Sequence, residues 1–287
     1  MIAIVDGGST KCDWVILDHS GKISQKTETL GFNPNIINAD LIPQEIEKNQ
    51  HLYFLKEHLK EICFYGSGCG TPENAALVEI NLQKAFPHAK VIVKEDMTAA
   101  AYAAYNGKPA IVCILGTGSN SCFFDGETVR RDLPSLGFLI GDEGSGSALG
   151  KQLLRRFFMK KLPKDLHEDF MATYHLTIED AIRNMYHNPR ANAYLAEFNK
   201  FVVLKKSHPY FQNMIFDEMK NFFEYQVLPY DEAREAEINF IGSIAFVYED
   251  ILRSAAAELN LTVGKIVQRP IESLVEYHKK YIFNQEE

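Results

Sequence analysis

Short apolar runs bounded by turn residues dominate the first third of the chain. Such runs predict β-strands, here at Ile2–Val5, Trp14–Leu17, Ile23–Thr29, Ile62–Tyr65 and Lys90–Lys94. In the segments between them, apolar residues recur three or four positions apart. That spacing predicts a helix over 42–60, and helices are also predicted over 73–86 and over the alanine-rich segment 97–105 that follows the last of these strands. Three strands followed by alternating helix and strand indicate a sheet with helices packed on it.

The opening pattern then returns. A shift of 109 positions places Gly7 on Gly116 and Thr10 on Ser119, and each glycine-rich turn lies between two apolar strands. Two such hairpins indicate two domains built on related plans. We therefore predict an α/β protein with domains at 1–108 and 109–270.

The rest of the chain has a mostly helical pattern. Helices are predicted near 145–159, 176–186, 190–206, 210–228, 244–258 and 271–282, and strands at 238–241 and 261–267. We expect a helical insertion over about 150–235 in the second domain. The last helix, 271–287, is expected to pack back on the first domain. Because no low-complexity linker separates the halves, we expect a cleft between tightly joined domains, and that cleft is the predicted active site.

Composition narrows the function classes. The chain has 287 residues, 46% hydrophobic, and a net charge of −8 without a long basic cluster, which argues against nucleic-acid binding. No apolar run approaches the roughly 18–20 residues of a membrane span. Five cysteines without a CxxC pair disfavour disulfide and zinc frameworks and favour a reducing, cytoplasmic location. A role for Cys69, which is flanked by glycines, stays open.

The first glycine turn, Gly7–Thr10, is suited to phosphate. Glycines let the backbone approach a phosphate closely, and the hydroxyls of Ser9 and Thr10 can bond its oxygens. Asp6, just before the glycines, would suit a Mg²⁺ ion held through water. The pattern matches neither a P-loop nor a dinucleotide-binding fingerprint. A plain hairpin turn is the alternative.

The second glycine turn, Gly116–Gly118, strengthens the phosphate interpretation. Two such turns facing a cleft could grip a polyphosphate from both sides. Gly242–Ser243 ends a predicted strand and precedes a helix, where it could meet a nucleotide. An ordinary strand–helix connection is the alternative at this position.

Two acidic positions are candidates for chemistry. Asp96 follows a predicted strand, where a catalytic base would sit in an α/β fold, and the adjacent Glu95 is not excluded. A helix N-cap is the structural alternative for Asp96. Between Gly141 and Gly146, Asp142 or Glu143 could cap the next helix or face a ligand with a carboxylate.

Taken in order, these motifs resemble the N-acetylglucosamine kinase branch, also called the BadF/BadG ATPase group, of the sugar kinase, Hsp70 and actin superfamily. The resemblance is carried by Asp6–Thr10, Asn33, Asp96, Gly116–Asn120, Gly141–Ser145 and Gly242–Ser243. It implies two ribonuclease-H-like (actin-like ATPase) domains with an interdomain cleft. It also implies an ATP- and Mg²⁺-dependent kinase that converts N-acetylglucosamine to its 6-phosphate. A homodimer is expected on the same ground.

The resemblance also implies roles for individual residues. ATP contacts fall on Asp6, Gly7, Gly8, Ser9, Thr10, Lys11, Gly116, Thr117, Gly118, Gly242, Ser243 and Ala245. Sugar contacts fall on Asn33, Asp96, Ser119, Asn120, Ser135, Leu136, Gly137 and Asp142. Asp96 is implied as the catalytic base, and Asp6 as a Mg²⁺ ligand through water.

The chain also departs from the family pattern. Ser135–Leu136–Gly137 stands where the family often has Gly-Trp-Gly, so N-acetylmuramic acid, glucosamine and glucose stay open as substrates. An ATPase of the same fold that drives a partner enzyme is a further alternative, although the cysteines of the iron–sulfur dehydratase activators are absent. The zinc-binding cysteine motif of the ROK sugar kinases is absent too. A non-catalytic sugar sensor would require loss of Asp96 or of a phosphate turn, and all are present.

Overall fold

The computed structural model describes residues 1–283, and the chain divides into two compact units. One contains Met1–Tyr105 and the stretch that begins at Arg269, and the other contains Asn106–Gln268. Each unit is built on one five-stranded sheet. The predicted α/β class with two domains is confirmed. Residues 284–287 of the predicted last helix lie outside the described residues.

The sheet of the first unit has the order β3-β2-β1-β4-β5. Its strands are β1 (Ile2–Gly7), β2 (Lys11–Leu17), β3 (Ile23–Leu30), β4 (Glu61–Gly66) and β5 (Lys90–Glu95). Strands β1–β3 form an antiparallel meander, whereas β4 and β5 run parallel to β1. The carboxyl ends of β1, β4 and β5 therefore meet at one edge of the sheet.

Helices cover both faces of this sheet. They are α1 (Ile42–Lys48), α2 (Gln50–Leu55), α3 (Pro72–Ala85), α4 (Asp96–Ala104) and α14 (Ile271–Tyr277). Alternate strand residues such as Ala3, Val5 and Trp14 are buried in one core cluster with residues of α1–α3. In contrast, α14 packs against α4 and β1 and continues into a π-helical turn, His278–Ile282.

The second unit repeats the same sheet plan. Its strands are β6 (Ala110–Leu115), β7 (Ser119–Phe124), β8 (Val129–Arg130), β9 (Glu237–Ile241) and β10 (Val263–Val267). The order β10-β9-β6-β7-β8 is again an antiparallel meander, β6–β8, with two strands parallel to its first strand. The two hairpins that the sequence placed 109 residues apart are thus the first hairpins of two equivalent sheets.

Most helices of the second unit lie between β8 and β9. They are α5 (Gly137–Ile140), α6 (Gly146–Phe158), α7 (Lys164–Tyr174), α8 (Ile178–His187), α9 (Ala191–Glu197), α10 (Asn199–Leu204) and α11 (Pro209–Gln226). After β9 come α12 (Ser243–Val247) and α13 (Glu249–Glu258). Phe222 and Phe223 of α11 pack on Phe240 of β9, which joins these helices to the sheet core.

Several predicted helices differ from the structure. The segment predicted as one helix over 42–60 is two helices, because Asn49 is extended and its Oδ1 caps α2 by accepting the Leu52 N–H. The helix predicted over 190–206 is likewise divided between α9 and α10, and α7 was not predicted. Among the described helices, none has the length and apolar character needed to cross a bilayer.

His278 predicts a pH dependence of stability. Its side chain is fully buried, Nε2 lies 2.8 Å from the Tyr65 hydroxyl, and burial, aided by the charge of Lys94, lowers its pKa to about 4. Because an unfolded histidine titrates near 6.5, the unfolded chain gains a proton first as the pH falls. We expect roughly 3 kcal/mol of stability to be lost between pH 6.5 and 4.

Urea unfolding of the wild type and of His278→Gln from pH 7.5 to 4.5 checks this expectation. The difference in unfolding free energy between them should shrink toward acid pH. His19→Gln, at an exposed site, is the matched control and should follow the wild type. A difference that stays constant with pH would contradict the assignment.

Candidate functional site

In the first unit, polar residues gather where β1, β4 and β5 end. The backbone N–H of Ser67 donates to the carbonyl of Gly7 at 2.7 Å, which joins the loop after β4 to the end of β1. The Ser67 hydroxyl donates to Asp96 Oδ2 at 2.8 Å, which joins it to the end of β5. Asp96 is therefore at the carboxyl edge of the sheet, where α/β proteins bind ligands.

Asp96 is the first residue of α4, and Glu95 holds the N-cap position without a side-chain cap bond. The N-cap alternative for Asp96 is therefore wrong. An acidic residue in the first turn of a helix interacts favourably with the helix dipole. Both acids are half-buried.

The first glycine turn is fixed by its neighbours. A Cβ on Gly7 would lie 2.4 Å from the ring of Phe64, so this position has no room for a side chain. Asn33 Nδ2 donates to Ser9 Oγ at 2.7 Å, and the carbonyl of Thr10 accepts the N–H of Gly31 at 3.0 Å. These two bonds connect the turn to the chain after β3, and the Thr10 side chain is exposed.

The side chain of Asn33, predicted to bind sugar, is engaged within the unit. Besides its bond to Ser9, its Oδ1 accepts the N–H of Asn35 at 2.9 Å, and the residue is 8% exposed. In this structure Asn33 connects the first glycine turn with the loop after β3. A contact between Asn33 and a sugar would use the second N–H of Nδ2 or the second lone pair of Oδ1, beyond the bonds to Ser9 and Asn35.

The carboxyl of Asp6 lies among other acids. Asp6 and Asp13 are direct partners across β1 and β2. Burial, with the negative charges of Asp13 and Asp96, raises the pKa of Asp6 to about 7, against the opposing effect of Lys11. Such a group gains from a nearby cation, because a positive charge favours its ionised form.

Lys11, predicted to bind ATP, is held by carboxylates. Its Nζ lies 2.7 Å from Asp13 Oδ1 and 2.6 Å from Glu28 Oε1. Both partners belong to strands β2 and β3, where Asp13 and Glu28 are themselves paired. The lysine ammonium is therefore directed along the sheet, and a phosphate contact would require it to leave these partners.

In the second unit, the second glycine turn closes the β6–β7 hairpin between Leu115 and Ser119. The carbonyl of Gly116 accepts the N–H of Gly146 at 2.9 Å, and that of Thr117 accepts the N–H of Ser147 at 3.0 Å. The amino end of α6 therefore holds this turn in place. The Thr117 side chain is exposed.

Asp142 braces the same turn. Its Oδ1 accepts the N–H of Ser119 at 3.1 Å, and a Cβ on Gly118 would lie 2.8 Å from Oδ2. Burial raises the pKa of Asp142, and the Ser119 N–H acts against that shift. Neither Asp142 nor Glu143 caps α6, because Ser145 does so by accepting the Ala148 N–H.

The two residues that follow the turn differ in their surroundings. Ser119 is 6% exposed, and its buried Oγ has no hydrogen-bond partner among residues 1–283. A buried hydroxyl without a partner is costly, so a ligand atom at this position would be stabilised. Asn120 is half-buried and its Oδ1 accepts the N–H of Ser121.

A pocket of about 440 Å³ opens beside the second glycine turn. It is lined by Gly116, Thr117, Ala196, Asn199, Lys200, Val203, Leu204, Ser243 and Ile244. The sequence prediction contained only Gly116, Thr117 and Ser243 of this set. The lining residues from α9 and α10 recur three or four positions apart, and that spacing alone predicts no more than a helix face.

Three residues predicted to bind ATP, Gly242, Ser243 and Ala245, have different surroundings in the structure. Gly242 has φ of 124°, and a Cβ there would lie 2.2 Å from the carbonyl oxygen of Leu115. Only glycine therefore lets the chain after β9 approach the end of β6 this closely. Ser243 is exposed and lines the pocket. Ala245 is fully buried in the core, which removes its side chain as a nucleotide contact.

The segment Ser135–Leu136–Gly137 lies at the start of α5, with Leu136 54% exposed. A Cβ on Gly141 would lie 3.1 Å from Leu136 Cβ, and the Gly141 N–H donates to the Gly137 carbonyl at 2.8 Å. The structure thus joins this segment to the loop that carries Asp142.

Comparison with known proteins gives a family. The profile of the BadF/BadG/BcrA/BcrD ATPase family matches residues 5–207. An N-acetyl-D-glucosamine kinase of Dictyostelium discoideum is 25% identical over 210 residues, which cover 66% of this chain and 65% of that protein. The alignment therefore spans slightly less than two thirds of this curated relative.

Solved structures agree with the fold. A crystal structure from Porphyromonas gingivalis, described as a candidate N-acetylglucosamine kinase, is 35% identical with a TM-score of 0.91, covering 98% of this chain and 99% of that one. A ROK family glucokinase of Streptomyces griseus, solved with glucose and AMPPNP, shares the fold at 13% identity and a TM-score of 0.55, covering 96% and 97% of the two chains. With the family profile matching well over half of its length, the chain belongs to the BadF/BadG/BcrA/BcrD ATPase family, as its motifs predicted.

Proposed function

We propose that this protein is an ATP-dependent sugar kinase whose acceptor is an amino sugar, namely N-acetylglucosamine at O6. The observation that carries the proposal is Asp96, a half-buried carboxylate at the carboxyl edge of the sheet, fixed by Ser67. A carboxylate in such a position can accept the proton of a sugar hydroxyl. The names of the relatives supply the sugar class.

The second unit supplies the proposed nucleotide site. Its pocket of about 440 Å³ has room for much of a nucleotide and combines apolar walls, from Val203 and Ile244, with the polar groups of Asn199 and Lys200. Backbone of the second glycine turn lines one side of it. Lys200 would offer a positive charge to the phosphates.

The first unit has residues that fit a magnesium ion. Asp6 has two acids close enough to raise its pKa, and a divalent cation would relieve their repulsion. Among residues 1–283 there is no group of three or more histidine, cysteine, aspartate or glutamate side chains placed to hold a metal directly. Both observations fit an ion that keeps most of its waters and meets Asp6 through one of them. Such an ion would neutralise charge on the phosphates.

The protein residues would act by position and charge. Asp96 of the first unit would take the proton from the attacking hydroxyl. The glycine turn of each unit offers backbone N–H groups and a hydroxyl that would hold phosphate oxygens. Asp142 would accept hydrogen bonds from other sugar hydroxyls, and the Ser119 hydroxyl would donate one. Excluding water from the reacting groups would keep hydrolysis of ATP from competing with transfer to the sugar.

A coupled assay of ADP release over a panel of sugars tests the function. With MgATP we expect the highest kcat/KM for N-acetylglucosamine, and lower values for N-acetylmuramic acid, glucosamine and glucose. A preference for a sugar without the N-acetyl group would contradict the proposed substrate but would support the proposed kinase activity. ATP hydrolysis indifferent to every sugar would instead favour an ATPase that drives a partner enzyme.

A further inference from the structure

Ser67 is a polar residue of the candidate site that the sequence reasoning did not single out. It directly follows β4 and is half-buried. Two groups of this residue bond to two different strand ends. Its hydroxyl donates to Asp96 Oδ2 at 2.8 Å, and its backbone N–H donates to the Gly7 carbonyl at 2.7 Å.

The backbone around Ser67 leaves it little freedom. A Cβ on Gly66 would lie 2.5 Å from the Phe64 ring and 2.7 Å from Cys69 Sγ, so Gly66 is tightly enclosed. Gly68 has φ of 82°, and a Cβ there would lie 2.2 Å from Asn33 Oδ1. Asn74 Nδ2 also donates to the Gly68 carbonyl at 2.8 Å. The Ser67 hydroxyl therefore projects from a closely packed loop.

Asp96 needs such support to act as a base. Its carboxyl plane is set by two side-chain torsions, and Asp6 is near enough for the two negative charges to interact. Hydrogen bonds to an ionised acceptor are short and about twice as strong as neutral ones, so one well-placed donor restrains the carboxyl plane. A general base must lie within hydrogen-bond reach of the proton that it removes.

We propose that Ser67 is a positioning residue, whose hydroxyl holds the Asp96 carboxylate in the orientation that accepts the proton of the sugar hydroxyl. Through its N–H the same residue ties that carboxylate to the Gly7 end of the first glycine turn. The base and the turn are thereby kept in one fixed arrangement. This inference rests on the proposed kinase function and on the role of Asp96 in it.

Kinetics of Ser67→Ala and Ser67→Thr test the proposal. In Ser67→Ala we expect kcat to fall by about 10-fold, with the KM values for sugar and ATP within about 2-fold of wild type, because orientation and not binding is lost. Ser67→Thr keeps the hydroxyl and should restore most of kcat. Ser24→Ala, which removes a hydroxyl bonded to the Ile16 carbonyl elsewhere in the same unit, is the matched control and should be unchanged.

A double-mutant cycle shows whether Ser67 acts through Asp96. In the Asp96→Ala background, Ser67→Ala should change neither the residual single-turnover rate nor the urea midpoint, whereas in the wild type it changes both. Equal effects in the two backgrounds, or failure of Ser67→Thr to restore kcat, would overturn the proposal. Absence of sugar-dependent phosphorylation by the wild type would overturn the proposed function. The urea midpoints of the four proteins in the cycle would still show whether the side chains of Ser67 and Asp96 interact.

Discussion

Asp96→Asn should lower kcat by about 100- to 10,000-fold, the usual contribution of a general base. The amide has nearly the same shape as the carboxyl and can still accept the Ser67 hydrogen bond seen at Asp96 Oδ2. It cannot take a proton from a sugar hydroxyl. Sugar affinity, measured by calorimetry in the absence of ATP, should therefore stay within about 3-fold of wild type.

Glu95→Gln is the matched control for this prediction. Glu95 and Asp96 are neighbours at the start of α4, and both are half-buried. The structure shows the Ser67 hydroxyl bonded to Asp96. We expect Glu95→Gln to keep more than about half of the wild-type kcat, in contrast to the loss of a base. The opposite result, with Glu95→Gln inactive and Asp96→Asn active, would move the base to Glu95.

The local features of the fold could be predicted from the sequence, because they depend on neighbours along the chain. The strand before each glycine turn, the hairpins at Gly7 and Gly116, and Asp96 at the end of β5 all follow from short patterns. The repeat of 109 residues predicted two related sheets, and both have the same strand order. The sequence also marks Gly242 as the residue between a strand and a helix, but it does not reveal that this glycine has a φ of 124°.

Features that depend on distant pairs were not predictable. The ion pair of Lys11 with Glu28 is one example, because Glu28 is 17 residues away and becomes its neighbour only when β2 and β3 pair. Ala245 looked like part of a nucleotide motif, yet the folding of α12 onto β6 and β9 buries it. Asn199 and Lys200 gave no signal, because only the tertiary fold brings α10 to the second glycine turn.

Asp6→Asn should make the protein more stable at pH 8 and less active. The pKa of Asp6 in the folded protein is raised to about 7, above the value near 3.9 of an unfolded aspartate. Between these values the folded state binds the proton more tightly, so stability falls as the pH rises from 4 to 7 and is lowest above 7. At about 1.4 kcal/mol per pH unit, the upper limit of this cost is roughly 4 kcal/mol.

An asparagine avoids that cost at every pH, so its gain over wild type should grow from pH 5 to pH 8 in urea unfolding. Asp217→Asn, at an exposed aspartate of α11, is the control and should show no such growth. Magnesium should raise the wild-type midpoint more than that of Asp6→Asn, since the cation favours the ionised carboxyl. A gain that is the same at pH 5 and pH 8 would contradict the electrostatic assignment. A stable Asp6→Asn protein with full turnover would show that catalysis does not need the Asp6 carboxylate. The effect of Asp13 and Asp96 on the pKa of Asp6 would then be a cost to stability that serves no catalytic role.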